Sequence, residues 1–198
     1  MALQEWCRGS QESTLVSRSL DTTTGEKMIV VDNFLDQTTW EQFNDPEIWD
    51  PSGSGNYAWL EVSQRPHNVM QVVAKRLWNF FDPLHVERMG VVGYEYWYNV
   101  LWKGNDLGWH YDKDEKHWRE TGEINIPLFG SVLYPYHEVH GGYLEIQHGD
   151  QVERIQPVPN RAIFFSAGEE KHRVSDITWG TRKTFACNLW KVVPSEFR

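Results

Sequence analysis

Val91-Val-Gly-Tyr-Glu-Tyr-Trp-Tyr-Asn-Val-Leu-Trp102 is the stretch that decides the fold. Tyr94, Tyr96, Tyr98, Val100 and Trp102 alternate with Gly93, Glu95, Trp97, Asn99 and Leu101. A period of two is the signature of a strand, because successive side chains point to opposite faces. Large rings on both sides predict a strand covered on both faces. Lys103-Gly-Asn-Asp106 then supplies a turn, and the next segment is Trp109-His110-Tyr111-Asp112.

His110 and Asp112 are two apart, so on an extended strand an imidazole and a carboxylate project from one face. By itself this pair also describes a polar surface loop, and Lys113, Asp114, Glu115 and Lys116 fit that reading. A second imidazole would complete a 2-His-1-carboxylate face, which suits Fe(II) because it leaves coordination positions open. His172 is the candidate. Ten residues after it stands Arg182, a permanent cation suited to a carboxylate-bearing cosubstrate.

Downstream of residue 112 the chain reads as short strands between Gly, Pro, Asn and Asp turns. Residues 113–122 are charged and predict an exposed loop beside the metal face. Glu123 to Tyr134 predicts a strand, Gly141 to Ile146 a turn and a strand, and Gln151 to Ile155, Ala162 to Phe165, His172 to Ile177 and Arg182 to Val192 further strands. His137-Glu-Val-His140 lies between Tyr134-Pro135 and Gly141-Gly142 and predicts a loop, with no zinc-protease pattern. His67 and His85 flank the helix and read as structural or solvated; His117 and His148 lie in predicted loops, and His117, close in sequence to the metal segment, reads as a plain loop histidine or as a substrate contact. Roughly seven or eight strands follow residue 91, which predicts a sandwich or jelly roll.

Upstream, residues 1–25 are polar and read as an arm or a short strand from Thr14 to Leu20. Met28 to Val31 predicts a strand. Thr38 or Thr39 caps a short helix carrying Trp40 and Phe43. Residues 50–56 form a loop that serves as a connector or a lid, and Tyr57 to Val62 predicts a strand. Val69, Val72, Val73, Leu77 and Phe80 recur at helical spacing, so Asn68 to Phe81 predicts a helix stopped by Asp82-Pro83. The fold class is therefore mainly β (α+β): a double-stranded β-helix, or jelly roll, over 91–192, with a helical flank over 1–90, together one domain of 198 residues.

The net charge of −9 gives no global basic footprint for nucleic acid or an anionic membrane. Cys7 and Cys187 predict free thiols in a reducing compartment. With no long apolar run and no secretory signal, the expected location is the cytoplasm. Oligomeric state is open.

His110-x-Asp112, Gly141-Gly142-x-Leu144, His172 and Arg182 resemble the 2-oxoglutarate and Fe(II)-dependent dioxygenases, within them the prolyl 4-hydroxylase-like branch. The resemblance covers about residues 90–192. Tyr96-Trp97-Tyr98-Asn99 leading into Gly108-Trp109-His110 looks like the small bacterial and phage members. The resemblance implies that His110, Asp112 and His172 are the iron ligands and that Arg182 pairs with the distal carboxylate of 2-oxoglutarate. It also implies a tyrosine at the cosubstrate, with Tyr98 and Tyr134 as candidates. If Arg182 faces inward, alternation brings Thr184, Ala186, Asn188 and Trp190 to the same face, placing Asn188 near the metal's surroundings. Lys183 points the other way.

The implied cofactors are Fe(II), 2-oxoglutarate and O2. The implied reaction is hydroxylation of an unactivated C–H bond, with 2-oxoglutarate decarboxylated to succinate and CO2. The retained Asp112 argues for hydroxylation, because related halogenases lack the carboxylate. A peptidyl proline is the first expectation for the substrate, with Trp97, Trp102, Trp109 and Trp118 as surfaces for its ring. The alternatives are a free amino acid or small metabolite, or a cupin-like binding protein without oxygenase activity. Charge disfavours a nucleic-acid demethylase of the same superfamily.

Overall fold

The computed structural model describes residues 15–16, 28–80 and 89–198. Expectations for Cys7, His85, the Asp82-Pro83 helix stop and most of the first 25 residues lie outside them. In chain order the elements are β1 (Leu15–Val16), β2 (Met28–Val31), α1 (Gln37–Phe43), β3 (Ala58–Glu61), α2 (Val69–Asn79), β4 (Gly93–Trp102) and β5 (Leu107–His110). Then come α3 (Glu115–Thr121), β6 (Phe129–Leu133), β7 (Val139–Gly141), β8 (Leu144–His148), β9 (Gln151–Ile155), β10 (Ala162–Phe165), β11 (Lys171–Val174) and β12 (Ile177–Trp190).

Two antiparallel sheets result. The larger runs β1-β2-β10-β6-β12-β4-β3, with β7 on the start of β12; the smaller runs β5-β11-β8-β9. This is the double-stranded β-helix. Strand alternation divides the core in two. Phe164, Leu133, Phe185 and Tyr94 point outward onto α1 and α2, against Phe43, Val73, Leu77 and Trp78. Ile163, Phe165, Val132 and Tyr134 point inward, against Leu144, Ile146 and Ile155 of the small sheet. α1 and α2 therefore buttress the outer face of the large sheet, and one end of the space between the sheets stays available for a site.

α2 forms where the 3.6-residue pattern predicts it. Asn68 caps it by accepting the Gln71 N–H at 2.9 Å. For α1 the cap is Asp36, which accepts the Thr39 N–H at 3.0 Å, rather than Thr38 or Thr39. Among the described residues no helix is long and apolar enough to cross a membrane. Cys187 is a free, buried thiol.

Three local expectations are corrected. Residues 115–121 are a helix, not a loop: Asp114 accepts the His117 N–H at 2.9 Å, and Gly122 ends the helix at φ 78°, a left-handed cap that glycine tolerates. The strand expected from Glu123 begins only at Phe129. Asn125 is tied by its carbonyl to the Asp114 N–H, and Pro127 has no N–H for a ladder. His140 lies in β7, paired with β12, rather than in a loop.

Asp114 is 4% exposed and also accepts the Ser195 N–H at 2.7 Å, joining α3 to the segment after β12. Asp114→Ala should therefore cost about 2 kcal/mol, seen as a lower urea midpoint at unchanged m-value, with Asn recovering part of the loss. An unchanged midpoint would mean that the cap is idle.

Candidate active site

β5 and β11 are paired directly through His110 and His172, so the two imidazoles stand side by side, ring centres 4.3 Å apart. Asp112 follows β5 by two residues, and its N–H is held by the Ala167 carbonyl at 2.9 Å. Its Oδ1 lies 3.7 Å from His110 Nε2 and 3.6 Å from His172 Nε2. One ligand atom from each residue lies within 4.8 Å of the other two, a span that a single ion can bridge.

Both rings are oriented from behind. His110 Nδ1 donates to the Gly108 carbonyl at 2.7 Å, and His172 Nδ1 donates to the Glu170 carbonyl at 3.0 Å. These bonds select the tautomer with a free Nε2 lone pair facing Asp112. Phe165 packs edge-on to His172, centroids 4.9 Å apart.

Electrostatics suit a cation. Burial opposes ionisation of Asp112, but His172, Asn188 and His110 outweigh it and hold the carboxyl below its ordinary range. Burial would lower the pKa of His172, yet Asp112 and the Glu170 carbonyl raise it. His110 is lowered, by burial and then by His172. Asn188 Nδ2 donates to Asp112 Oδ2 at 3.0 Å, leaving Oδ1 between the imidazoles. The donor set, two neutral nitrogens and one anionic oxygen on a single face, fits Fe(II).

Arg182 reaches the same cavity from β12 and is 2% exposed. Its Nε donates to the Gly142 carbonyl at 2.8 Å, one terminal nitrogen donates to Thr184 Oγ1, and the other donates to the Tyr134 hydroxyl at 3.2 Å. Three of five guanidinium hydrogens are thus used and two remain for an anion. Gly142 sits at φ +63°, and a Cβ there would lie 2.9 Å from Arg182 Cδ, so glycine admits the arginine stem.

The structure brings His110, Asp112, His172, Arg182, Tyr134 and Asn188 together. It places Tyr98 elsewhere. β12 pairs Tyr98 with Phe185, whose ring packs in the outer core, and the Tyr98 hydroxyl donates to the Asp50 carbonyl at 2.8 Å. Lys183 points away from Arg182's face, as alternation predicts. The cavity, about 490 Å³, is also lined by Leu144, Phe165, Ala186, Tyr57, Trp97 and Glu95. Glu95 and Tyr57 carried no motif. The alternation of β4 put Glu95 opposite the tyrosines, but burial depends on what covers that face.

The other described histidines lie outside the 2-His-1-carboxylate group. His148 Nδ1 lies 2.8 Å from Glu170 Oε1. His117 Nε2 is 3.5 Å from Glu123. His137 packs edge-on to Tyr134 and is pushed down to about 4 by burial and by Arg182.

Residues 96–190 match the family model described as the 2OG-Fe(II) oxygenase superfamily. No curated protein sequence matches the chain. Among solved structures, a Pseudomonas putida prolyl-4-hydroxylase is similar at 15% identity and TM-score 0.63, over 85% of this chain and 90% of that one. A viral collagen prolyl hydroxylase from Paramecium bursaria Chlorella virus-1 is similar at 16% and 0.61, over 87% and 99%. A Trichoplax adhaerens prolyl hydroxylase, in complex with a hypoxia inducible factor oxygen degradation domain peptide fragment, is similar at 13% and 0.59, over 85% of each.

Proposed function

Residues 96–190 match the 2OG-Fe(II) oxygenase superfamily, and we propose that the chain is an oxygenase of this kind that hydroxylates a peptidyl proline. In this reading His110, Asp112 and His172 bind the iron, while Arg182 and Tyr134 bind 2-oxoglutarate. The chain is an oxygenase that uses Fe(II), 2-oxoglutarate and O2. Bound iron with 2-oxoglutarate supplies the oxidising power, through reduction of O2 coupled to formation of succinate and CO2.

The chain's own residues orient and shield. The Gly108 and Glu170 carbonyls keep both Nε2 atoms aimed at one point. Asn188 keeps Asp112 from turning away. Arg182 offers its two spare donors to the far carboxylate of the cosubstrate, a charge-assisted pair in a dry setting. Ala186, small and on the Arg182 face of β12, would leave room for the cosubstrate, and Leu144, Phe165 and Val132 make an apolar wall that excludes water.

The observation that carries the prolyl reading is the rim. Tyr57 and Tyr111 line the cavity and are 49% and 45% exposed, Trp97 and Trp109 line it beside them, and Trp118, 43% exposed, stands on α3. Aromatic faces of this kind receive proline rings and extended backbone. The prolyl hydroxylases of similar fold support the same substrate class.

The test is to incubate the iron-loaded protein with 2-oxoglutarate and proline-containing peptides, with alanine-substituted peptides as controls. Gain of one oxygen atom at proline, read by mass spectrometry, is the expected result. Oxygen gained by a free amino acid or small metabolite, and by no prolyl peptide, would overturn the reading.

A further inference from the structure

Glu95 lies on the cavity face of β4, opposite Asn188 on β12. It is 9% exposed. Trp190 Nε1 donates to its Oε2 at 2.9 Å, and the Asn188 amide is its other polar neighbour. Both are uncharged. Among the described residues no Lys, Arg or His stands within ion-pairing distance of it.

Other buried carboxylates are answered differently. Glu145 holds both Arg154 and Arg173, at 2.8 and 2.6 Å. Asp114 takes two backbone N–H groups. Glu95 instead has the cavity in front of it. A desolvated carboxylate without a cation is costly, and burial pushes this one up to about 7. A glutamine could accept the Trp190 bond without that cost, so acceptance alone does not account for a glutamate.

The surroundings point to the missing partner. Tyr57 and Trp97 line the same cavity, their rings 4.8 Å apart, and Trp97 shares the β4 face with Glu95. The Tyr57 phenol is pushed up to about 12 by burial and then by Asp112, Glu95, Glu196 and Glu115. Glu95, Asp112, Glu115 and Glu196 all line this cavity. The cations lining it are engaged elsewhere: Lys113 with Glu115, Lys116 with the Ser195 carbonyl, Arg173 with Glu145 and Arg182 with Gly142, Thr184 and Tyr134.

We propose that Glu95, with the rings of Tyr57 and Trp97, determines specificity by receiving a positively charged group of the substrate, an ammonium or guanidinium carried near the carbon that is hydroxylated. The carboxylate supplies a charge-assisted bond and the rings supply cation–π contact and cover for an aliphatic stem. This deepens the prolyl-peptide reading and rests on it. The preferred substrate is a proline beside a lysine or arginine.

The test compares prolyl peptides that differ at one neighbouring residue: lysine, arginine, norleucine or glutamate. Norleucine keeps an unbranched lysine-like stem without the charge. Free lysine and free arginine complete the set. Turnover is read by mass spectrometry, and affinity by anaerobic tryptophan fluorescence of the protein loaded with Fe(II) and 2-oxoglutarate. The wild type should favour lysine and arginine over norleucine about tenfold or more in kcat/KM. Glu95→Gln, which keeps an acceptor for Trp190, should bring that ratio near one, chiefly through KM. Glu95→Lys should favour the glutamate peptide.

The wild-type comparison needs no variant, so a folding defect in either mutant does not remove the test. Equal use of the lysine and norleucine peptides overturns the inference and leaves the prolyl reading standing. Hydroxylation of free lysine or arginine, and of no prolyl peptide, supports the inference and overturns the prolyl reading. Binding of none of the cationic probes overturns the inference.

Discussion

Asp112→Ala should cut iron-dependent turnover about a thousandfold or more while leaving both sheets folded. Removing a partner behind a metal ligand typically costs about ten- to a hundredfold, and this change removes a proposed ligand itself. Asp112 Oδ1 stands nearly equidistant from the two Nε2 atoms, at 3.7 and 3.6 Å. It is the only anionic member of the set. Without it two neutral imidazoles remain, and nothing on that face offsets the charge of a dication. The sheet pairing of His110 with His172 does not depend on the carboxylate, so far-UV circular dichroism should be unchanged. Succinate formation at undiminished rate, with iron supplied, would sink the assignment.

Arg182→Ala should weaken 2-oxoglutarate binding about a hundredfold, with turnover partly restored at saturating cosubstrate. The side chain is buried and held by three acceptors, so its loss also leaves the Gly142 carbonyl and the Tyr134 hydroxyl without their donor. That variant should melt earlier as well. Two gentler changes separate the effects. Arg182→Lys keeps the charge but not the planar fork, and should fall between wild type and alanine. Tyr134→Phe removes only a hydroxyl at the guanidinium, and should weaken the cosubstrate by about tenfold without opening a cavity. The measurement is titration of the anaerobic Fe(II) protein with 2-oxoglutarate. Unchanged affinity in Arg182→Ala would move the anchor to another cation.

Much of this was legible because it is local. A period of two identifies β4 and, along β12, carries Arg182, Thr184, Ala186 and Asn188 to one face while Lys183 goes to the other. A period of 3.6 identifies α2. His110 and Asp112 are close because two residues of strand separate them. α3 could also have been read: Asp114, Glu115, Arg119 and Gly122 form a complete set of helix-end signals, and the density of charge obscured them.

The choice between Tyr98 and Tyr134 was of another kind. Both are tyrosines in or beside strands next to β12, and nothing near either distinguishes them. β12 pairs Phe185 with Tyr98 on one side and with Leu133 on the other. Partners directly opposite share a face, so Tyr98 joins Phe185 in the outer core. Tyr134, one residue beyond Leu133, turns inward to Arg182.

By itself the sequence determined the strand and helix periods, the residue types of the proposed metal-ligand set and their order along the chain, since these depend on residue type and near neighbours. Only the tertiary structure decided that His110 and His172 are direct partners, that Tyr134 meets Arg182, and that Glu95 is buried facing the cavity with no cation of the described residues at ion-pairing distance. Register between strands far apart in the chain set those contacts, and register is chosen by the packing of the two sheets and the helices against one another.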